Sequence, residues 1–161
     1  MAEVLIIYYS QTNNTKKMAD FVKEGARKEN IEVICKSLDN TNLSDLLRAD
    51  GIIIGSPTHF GAMSTPIKAF IDKSIKYYGK FEGKVGGAFT SCHRIGGGGE
   101  TALQSIINAF LVHGMIIQGA SKGSHYGPVA IGSPDDIACE ECRKLGKKVA
   151  CLVKKLFTST E

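Results

Sequence analysis

The first stretch able to do chemistry is a loop rich in hydroxyls and amides near the start of the chain. An apolar, β-branched and aromatic run, Val4–Tyr9, precedes it and predicts a strand buried on both faces. A helical pattern follows the loop, which reads Ser10, Gln11, Thr12, Asn13, Asn14 and Thr15. Free N–H groups and the dipole at the start of that helix favour an anion. Because the loop contains no Lys or Arg, we expect neutral donors to hold a phosphate there.

This loop lacks the glycines on which other phosphate loops depend. A dinucleotide-binding fold places Gly-x-Gly-x-x-Gly here, and a nucleotide triphosphate loop needs Gly-Lys-Ser/Thr. Neither motif occurs in Ser10–Thr15. The alternative interpretation is an ordinary turn whose polar side chains cap the helix.

A second loop, Gly55–Ser64, carries two planar rings. It follows the apolar run Gly51–Gly55, and His59 and Phe60 stand in it between small residues. Rings exposed on such a loop suit the face of a planar heterocycle, and Gly61 allows the backbone to approach closely. The alternative is that Phe60 packs within its own loop while His59 lies on the surface.

A third loop, Ser91–Glu100, contains four consecutive glycines. Gly96–Gly99 form a backbone with no side-chain barrier to the edge of a ligand. Beside them, Arg94 can neutralise negative charge on a bound group. The alternative is a flexible loop with an exposed arginine.

Apolar runs alternate with helical patterns, which predicts a doubly wound α/β fold in one domain, residues 1–161. We predict strands at Glu3–Tyr9, Glu32–Ser37, Gly51–Gly55, Val85–Thr90 and Met115–Gln118. We predict helices at Thr15–Lys28, Leu43–Arg48, Thr65–Tyr77, Glu100–His113 and Asp135–Phe157, with a glycine-rich loop at Lys122–Ser133. The expected sheet is parallel and five-stranded, with right-handed crossovers and helices on both faces. Ligands of such sheets bind beyond the carboxyl ends of the strands, where the three loops lie.

Taken together, the three loops resemble those of one family. The flavodoxin superfamily has the phosphate loop Thr/Ser-x-Thr-Gly-Asn-Thr, and Asn13 stands here in place of the glycine. Asn tolerates a left-handed backbone, so we expect the turn to survive. Pro57–Ser64, followed by Phe70–Asp72, is similar to the WrbA-type branch, the type IV NAD(P)H:quinone oxidoreductases. Ser91–Glu100 is similar to Ser-Ser-Thr-Gly-Thr-Gly-Gly-Gly-x-Glu of that branch.

The resemblance implies a flavodoxin-like fold with the strand order 2-1-3-4-5. It also implies FMN as cofactor and electron transfer from NAD(P)H to a quinone or similar acceptor. The chemistry would take place on FMN, with His59 and Arg94 as candidate catalytic side chains. The implied cofactor-binding residues are Ser10, Gln11, Thr12, Asn13, Asn14, Thr15, Pro57, Thr58, His59, Phe60, Gly61, Ser91, Cys92, His93, Arg94, Ile95, Gly96 and Gly97. Tyr78 and Tyr126 are implied substrate contacts. The alternative, favoured by the small size of the chain, is a flavodoxin-type one-electron carrier that serves a redox protein.

The chain departs from that branch in several places. The branch carries Arg where His59 stands, and His-His-Gly-Met where this chain has Val112–Met115. We interpret His113 as a cation at a helix C-terminus before a glycine cap. The long insertion after strand two is missing, since only Leu38–Asp50 separates strands two and three. The resemblance also implies a homo-oligomer, a dimer or tetramer, because subunit contacts complete the site in that branch.

Composition and charge limit the partners, the cellular compartment and the metal sites that we expect. The formal net charge is +4 without a clustered basic stripe, and no apolar run reaches transmembrane length, so we expect neither nucleic acid nor a membrane as partner. Five scattered cysteines and the absence of a signal peptide favour a cytoplasmic protein with free thiols. Cys139 and Cys142 fall on an apolar helix stripe that runs to Leu156, and zinc needs more ligands, so we predict no metal site.

Overall fold

The computed structural model describes residues 2–158, in which strands and helices alternate. The strands are β1 (Glu3–Tyr8), β2 (Glu32–Ser37), β3 (Gly51–His59), β4 (Ala62–Met63), β5 (Val85–Cys92), β6 (Ile116–Ile117) and β7 (Val129–Ile131). The helices are α1 (Asn14–Arg27), α2 (Asp45–Arg48), α3 (Thr65–Lys73), α4 (Gly99–Val112) and α5 (Asp136–Phe157). Short 3₁₀ turns cover Leu38–Asn40 and Ser74–Tyr77.

Five parallel strands form the sheet in the order β2-β1-β3-β5-β6, which confirms the predicted strand order. Val4 of β1 pairs with Gly51 of β3, which pairs in turn with Val85 of β5. The amino ends of these three strands therefore lie at one edge of the sheet. Their carboxyl ends, and the three loops that follow them, lie together at the opposite edge.

The prediction of five strands was incomplete, because two short strands extend the sheet to seven in the described part of the chain. β4 folds back antiparallel on the end of β3, with Ala62 opposite His59. β6 pairs with the first residues of β5 and β7 with the last, so the outer strand is split by residues 118–128. Glycine is depleted in strands, and three glycines interrupt this segment.

Two apolar cores cover the two faces of the sheet. On one face, α1 and α5 pack over Ile6, Ile53 and Phe89, which are fully buried. On the other face, α4 packs over Ile7 and Ile54. Helices thus cover both faces of the central strands, which is why these runs show no alternation of apolar and polar residues.

Helix boundaries lie within one residue of the predictions for α1, α4 and α5. α2 begins at Asp45 instead of Leu43, and α3 ends at Lys73, where a 3₁₀ turn continues to Tyr77. Among residues 2–158, no helix combines the length and apolarity that crossing a bilayer requires.

Helix α5 contains the pair Cys139 and Cys142. Asp135 caps its start, because the Oδ1 atom accepts a hydrogen bond from the N–H of Ala138 at 2.8 Å. Cys142 is fully buried, and burial raises the pKa of its thiol to about 12. The buried stripe ends before Leu156, which is half exposed. In the described range, no three His, Cys, Asp or Glu side chains come together as they would around a metal ion.

Candidate functional site

The loop Ser10–Thr15 joins the carboxyl end of β1 to α1. Asn13, immediately before the helix, has the left-handed backbone angle φ of 65°. Asn adopts this conformation more readily than most residues. The expectation that the turn survives the replacement of glycine by Asn13 is therefore confirmed.

The start of α1 is open to an anion. Within residues 2–158, the backbone N–H groups of residues 12–15 have no hydrogen-bond acceptor, and the Asn13 side chain does not cap the helix. The next N–H group, that of Lys16, donates to the Ser10 hydroxyl at 3.3 Å. The first turn also lacks acidic residues. Free N–H groups at the positive end of a helix dipole bind an anion without a cationic side chain.

Thr15 connects this loop with the carboxyl end of β5. Its Oγ1 atom lies 2.8 Å from the Oγ atom of Ser91, and both side chains are buried. They share a cleft of about 250 Å³ at the carboxyl edge of the sheet. The lining residues are Gln11, Thr12, Asn14, Thr15, Pro57, Thr58, His59, Ser91, Cys92, His93 and Gly132. Residues of all three predicted loops thus meet in one cleft.

The loop after β3 is a tight hairpin that exposes Phe60. Thr58 pairs with Met63 across the hairpin, and Phe60 and Gly61 form its turn. Both turn residues have positive φ, 50° and 75°, which is unusual for an aromatic residue. The Phe60 side chain is fully exposed, so it does not pack within its own loop. The hairpin therefore presents an apolar ring next to His59, which lines the cleft.

A buried hydroxyl network joins the ends of β3 and β5 below the cleft. The Thr90 hydroxyl donates to the carbonyl oxygen of Ser56 at 2.7 Å and lies 2.9 Å from the Thr58 hydroxyl. The Ser56 hydroxyl accepts a hydrogen bond from the N–H of Ser64 at 2.8 Å. Buried hydrogen bonds are costly to leave unmade, so this network holds the two loops in place.

The glycine-rich loop folds back on Cys92. Its thiol donates to the carbonyl oxygen of Arg94 at 3.3 Å, and the N–H of Gly97 donates to the same oxygen at 3.1 Å. The loop borders a second cleft of about 230 Å³. The lining residues of this cleft are Cys92, Arg94, Ile95, Gly96, Gly97, Gly99, Glu100, Val129 and Ile131. Since Cys92 lines both clefts, they are neighbours.

The two neighbouring clefts fit FMN. A small-molecule pocket typically holds roughly 300–1,000 Å³, which these clefts reach only together. The first cleft offers free N–H groups and hydroxyls suited to a phosphate, and the second offers a glycine backbone suited to the edge of a heterocycle. Ser10–Thr15 would hold the phosphate, while Pro57–Gly61 and Ser91–Gly97 would hold the ring.

The residues that line the clefts differ from the implied cofactor-binding set, because some implied residues are absent from the lining and other residues are present. Ser10, Asn13, Phe60 and Gly61 lie on the three loops but line neither cleft. The clefts gain five lining residues outside the implied cofactor-binding set: Gly99 and Glu100 of the glycine-rich loop, and Val129, Ile131 and Gly132 of β7 and the residue after it. The apolar triplet of β7 is the signal that could have identified the last three within a glycine-rich segment.

Neither of the two predicted substrate contacts lines a cleft of its own chain. Tyr78 follows α3 at the amino edge of the sheet, where its ring centroid lies 6.1 Å from that of His113. Tyr126 is exposed on the segment 118–128 and lines neither cleft. Both roles stay predictions, and Tyr78 can reach a cleft only on a second copy of the chain.

The interpretation of His113 is confirmed in position but not in charge, since His113 is the C-cap residue of α4 and Gly114 follows with a φ of 76°. Its Nε2 atom lies 2.8 Å from the Ser74 hydroxyl, and its ring centroid lies 4.8 Å from that of Phe81. Burial lowers the pKa of His113, which favours the neutral imidazole. His113 also borders an apolar cavity of about 20 Å³ at the amino edge, which is too small for a cofactor. The helix end is covered by neighbouring side chains, so the sequence pattern misjudges its charge.

Comparison with known proteins identifies the family. The chain matches the family model of NADPH-dependent FMN reductase over residues 38–126. A flavodoxin of Aquifex aeolicus is 40% identical to this chain, and the alignment covers 93% of this chain and 86% of that protein. An NAD(P)H dehydrogenase (quinone) of Archaeoglobus fulgidus is 35% identical, and the alignment covers 97% of this chain and 100% of that protein. The solved structure of a WrbA-like flavodoxin from Agrobacterium tumefaciens has a TM-score of 0.84 at 28% identity, covering 96% of this chain and 99% of that one. The chain therefore belongs to the NADPH-dependent FMN reductase family as a short, flavodoxin-like member of the WrbA type, and its cofactor is FMN.

Proposed function

We propose that the protein uses FMN to oxidise NAD(P)H and to reduce a quinone or a similar small acceptor. When bound, FMN supplies a ring that takes two electrons from the nicotinamide and passes them to the acceptor. The ring N–H donors and the one guanidinium charge that line the clefts carry this proposal. His59 and His93 line the first cleft, whose described lining contains no carboxylate, and Arg94 lines the second. Such groups stabilise the negative charge that the ring acquires on full reduction.

Each loop has a distinct part in this proposal. The N–H groups of residues 12–15 bind the phosphate, and His59 and Phe60 flank the ring. The guanidinium of Arg94 adds a permanent positive charge at the edge of the ring. Glu100, the carboxylate in the second cleft, is exposed, so solvent and salt screen its effect.

A one-electron carrier is the second candidate, and chain length favours it. The flavodoxin of Aquifex aeolicus aligns over 159 residues, close to the length of this chain. The quinone dehydrogenase of Archaeoglobus fulgidus aligns over 190 residues, so it contains segments that this chain lacks. In this second function, the exposed Phe60 would contact a redox protein.

We also propose a homo-oligomer, a dimer or tetramer, in which a second copy contributes to the substrate pocket. Ile75, Tyr78, Leu111 and Val112 are exposed apolar side chains near the amino edge of the sheet. A second copy seated on them would remove this apolar surface from water. Size-exclusion chromatography with light scattering tests the assembly, and a monomer at micromolar concentration would exclude Tyr78 from the pocket.

Anaerobic kinetics distinguish the enzyme from the carrier. FMN-loaded protein is mixed with NADH or NADPH, and flavin absorbance is followed with and without benzoquinone. We expect two-electron reduction by the nicotinamide and turnover with benzoquinone. If neither nicotinamide reduces the flavin, while a reduced ferredoxin-type protein cycles it one electron at a time, the carrier replaces the enzyme.

A further inference from the structure

We propose that Ser91 is a positioning residue that orients the hydroxyl proton of Thr15 toward the phosphate of FMN. The proposal rests on the placement of that phosphate at the loop Ser10–Thr15, which is part of the proposed function. It makes Ser91 the donor and Thr15 the acceptor in the 2.8 Å hydrogen bond between Ser91 Oγ and Thr15 Oγ1. Distance alone leaves that direction open, because either hydroxyl can donate.

The two hydroxyls depend on each other. Thr15 is 1% exposed and Ser91 is 8% exposed, and in the described chain neither hydroxyl has another hydrogen-bond partner. A hydroxyl has one proton to donate. If Thr15 donates to Ser91, its proton is used within the protein. If Ser91 donates to Thr15, the Thr15 proton is free for a ligand.

A bound phosphate selects between these two arrangements. A phosphate dianion only accepts hydrogen bonds, so a hydroxyl in contact with it must donate. Thr15 lines the first cleft and belongs to the run of residues 12–15 with free N–H groups. Once the Thr15 proton points to the phosphate, the contact with Ser91 survives only with Ser91 as donor. The donor chain then runs from Ser91 to Thr15 to the phosphate.

The sheet holds Ser91 in position for this role. Its backbone lies between two paired strands, opposite Pro57 of β3 and Ala130 of β7. The Ser91 hydroxyl is therefore pre-organised before the ligand arrives. Donation from Ser91 also polarises the Thr15 hydroxyl, and this strengthens the hydrogen bond that Thr15 gives to the phosphate.

The proposal predicts a coupling that depends on the phosphate. Ser91→Ala should weaken FMN binding about three- to tenfold, as expected for one buried hydrogen bond. It should barely change the affinity for riboflavin, which lacks the phosphate. In a Thr15→Val background, Ser91→Ala should cause little further loss, because the hydroxyl that it orients is gone. Ser91→Thr keeps a hydroxyl and should retain FMN affinity.

Fluorescence titration of the apoprotein variants with FMN and with riboflavin measures both affinities. Ser74→Ala is the matched control, because the Ser74 hydroxyl is also buried and lies 2.8 Å from His113 Nε2, at the amino edge of the sheet. This control should leave the ratio of FMN to riboflavin affinity unchanged. If Ser91→Ala does not fold, Ser91→Cys keeps a side chain with a weak donor and should show a partial loss for FMN alone.

Two results would overturn the proposal, and they have different meanings. If Ser91→Ala weakens FMN and riboflavin equally, or if the losses at Ser91 and Thr15 simply add, Ser91 does not act through Thr15. If Thr15→Val leaves the ratio of FMN to riboflavin affinity unchanged, the phosphate does not bind at Thr15, and the placement of the cofactor fails too. Neither measurement involves NAD(P)H, so the proposed reaction is tested separately.

Discussion

Gly98, at the start of α4, lies directly against Gly61 in the hairpin turn after β3. A Cβ atom built on Gly98 would lie 2.6 Å from the Cα atom of Gly61, closer than real Cβ atoms approach other atoms. Gly98 also has a φ of 86°, a conformation that favours glycine. The glycine-rich loop and the hairpin therefore pack backbone against backbone, and a displacement of one must move the other.

Gly98→Ala should lower both protein stability and FMN affinity. The left-handed backbone costs alanine about 1–2 kcal/mol, and the added methyl group displaces the turn at Gly61. Gly79→Ala is a matched control, because Gly79 has a φ of 78° with nothing within 4 Å of an added Cβ. Urea unfolding should show a strain cost in both variants, and FMN titration a loss only in Gly98→Ala. Equal FMN affinity in the two variants would contradict the coupling of the loops.

His59→Arg should speed the reduction of FMN by NAD(P)H. His59 lines the first cleft, where the resemblance to the WrbA-type branch implies an arginine. A guanidinium carries a permanent positive charge, and an imidazole does not. Each 1.4 kcal/mol of transition-state stabilisation raises the rate about tenfold. Stopped-flow absorbance measures the rate, and His125→Arg, at an exposed residue that lines neither cleft, should leave it unchanged. An unchanged rate in His59→Arg would show that charge at this position is not limiting.

Cys142→Ala should destabilise the protein without changing its flavin spectrum or metal content. The Cys142 side chain is fully buried in the core that α1 and α5 form with the sheet, so its truncation leaves a cavity that costs roughly 1–3 kcal/mol. Cys151→Ala, on the same helix but only half-buried, should cost less. Chemical denaturation and elemental analysis of untagged protein measure both quantities. One zinc or iron per chain that disappears with Cys142 would contradict the structural role.

His113 should make the protein less stable in mild acid. Because burial lowers its pKa, the unfolded chain takes up a proton at this residue at a higher pH than the folded chain does. Stability therefore falls as the pH drops from about 6.5, the ordinary value for histidine, toward the lower folded-state value. Urea unfolding at about pH 7.5 and 5.5 should show this loss, and His113→Gln should reduce it. An NMR titration that places the pKa of His113 at or above the ordinary value would contradict this prediction.

Much of the architecture can be predicted from local sequence. Ile52–Ile54 form an uninterrupted apolar run because helices cover both faces of β3, so burial alone identifies the strand. The strand order comes from the resemblance to flavodoxins, because right-handed crossovers alone allow more than one order for parallel strands. The parallel direction of the strands places the three loops at one edge of the sheet. The identity of the cofactor follows from resemblance and from the chemistry of those loops.

Only the tertiary structure decided which residues in those loops meet. Thr15 and Ser91 are separated by 76 positions, and their contact depends on the pairing of β3 with β5 and on the way α1 packs. Tyr78 is the opposite case, a residue that the motif places at the site and that the fold carries away from it. Counting along the motif places it near the substrate, but α3 runs from the carboxyl edge of the sheet back to the amino edge before β5 begins. A local sequence pattern gives only the order of residues along the chain. A binding site depends on long-range packing, which brings distant loops together and separates residues that are close in sequence.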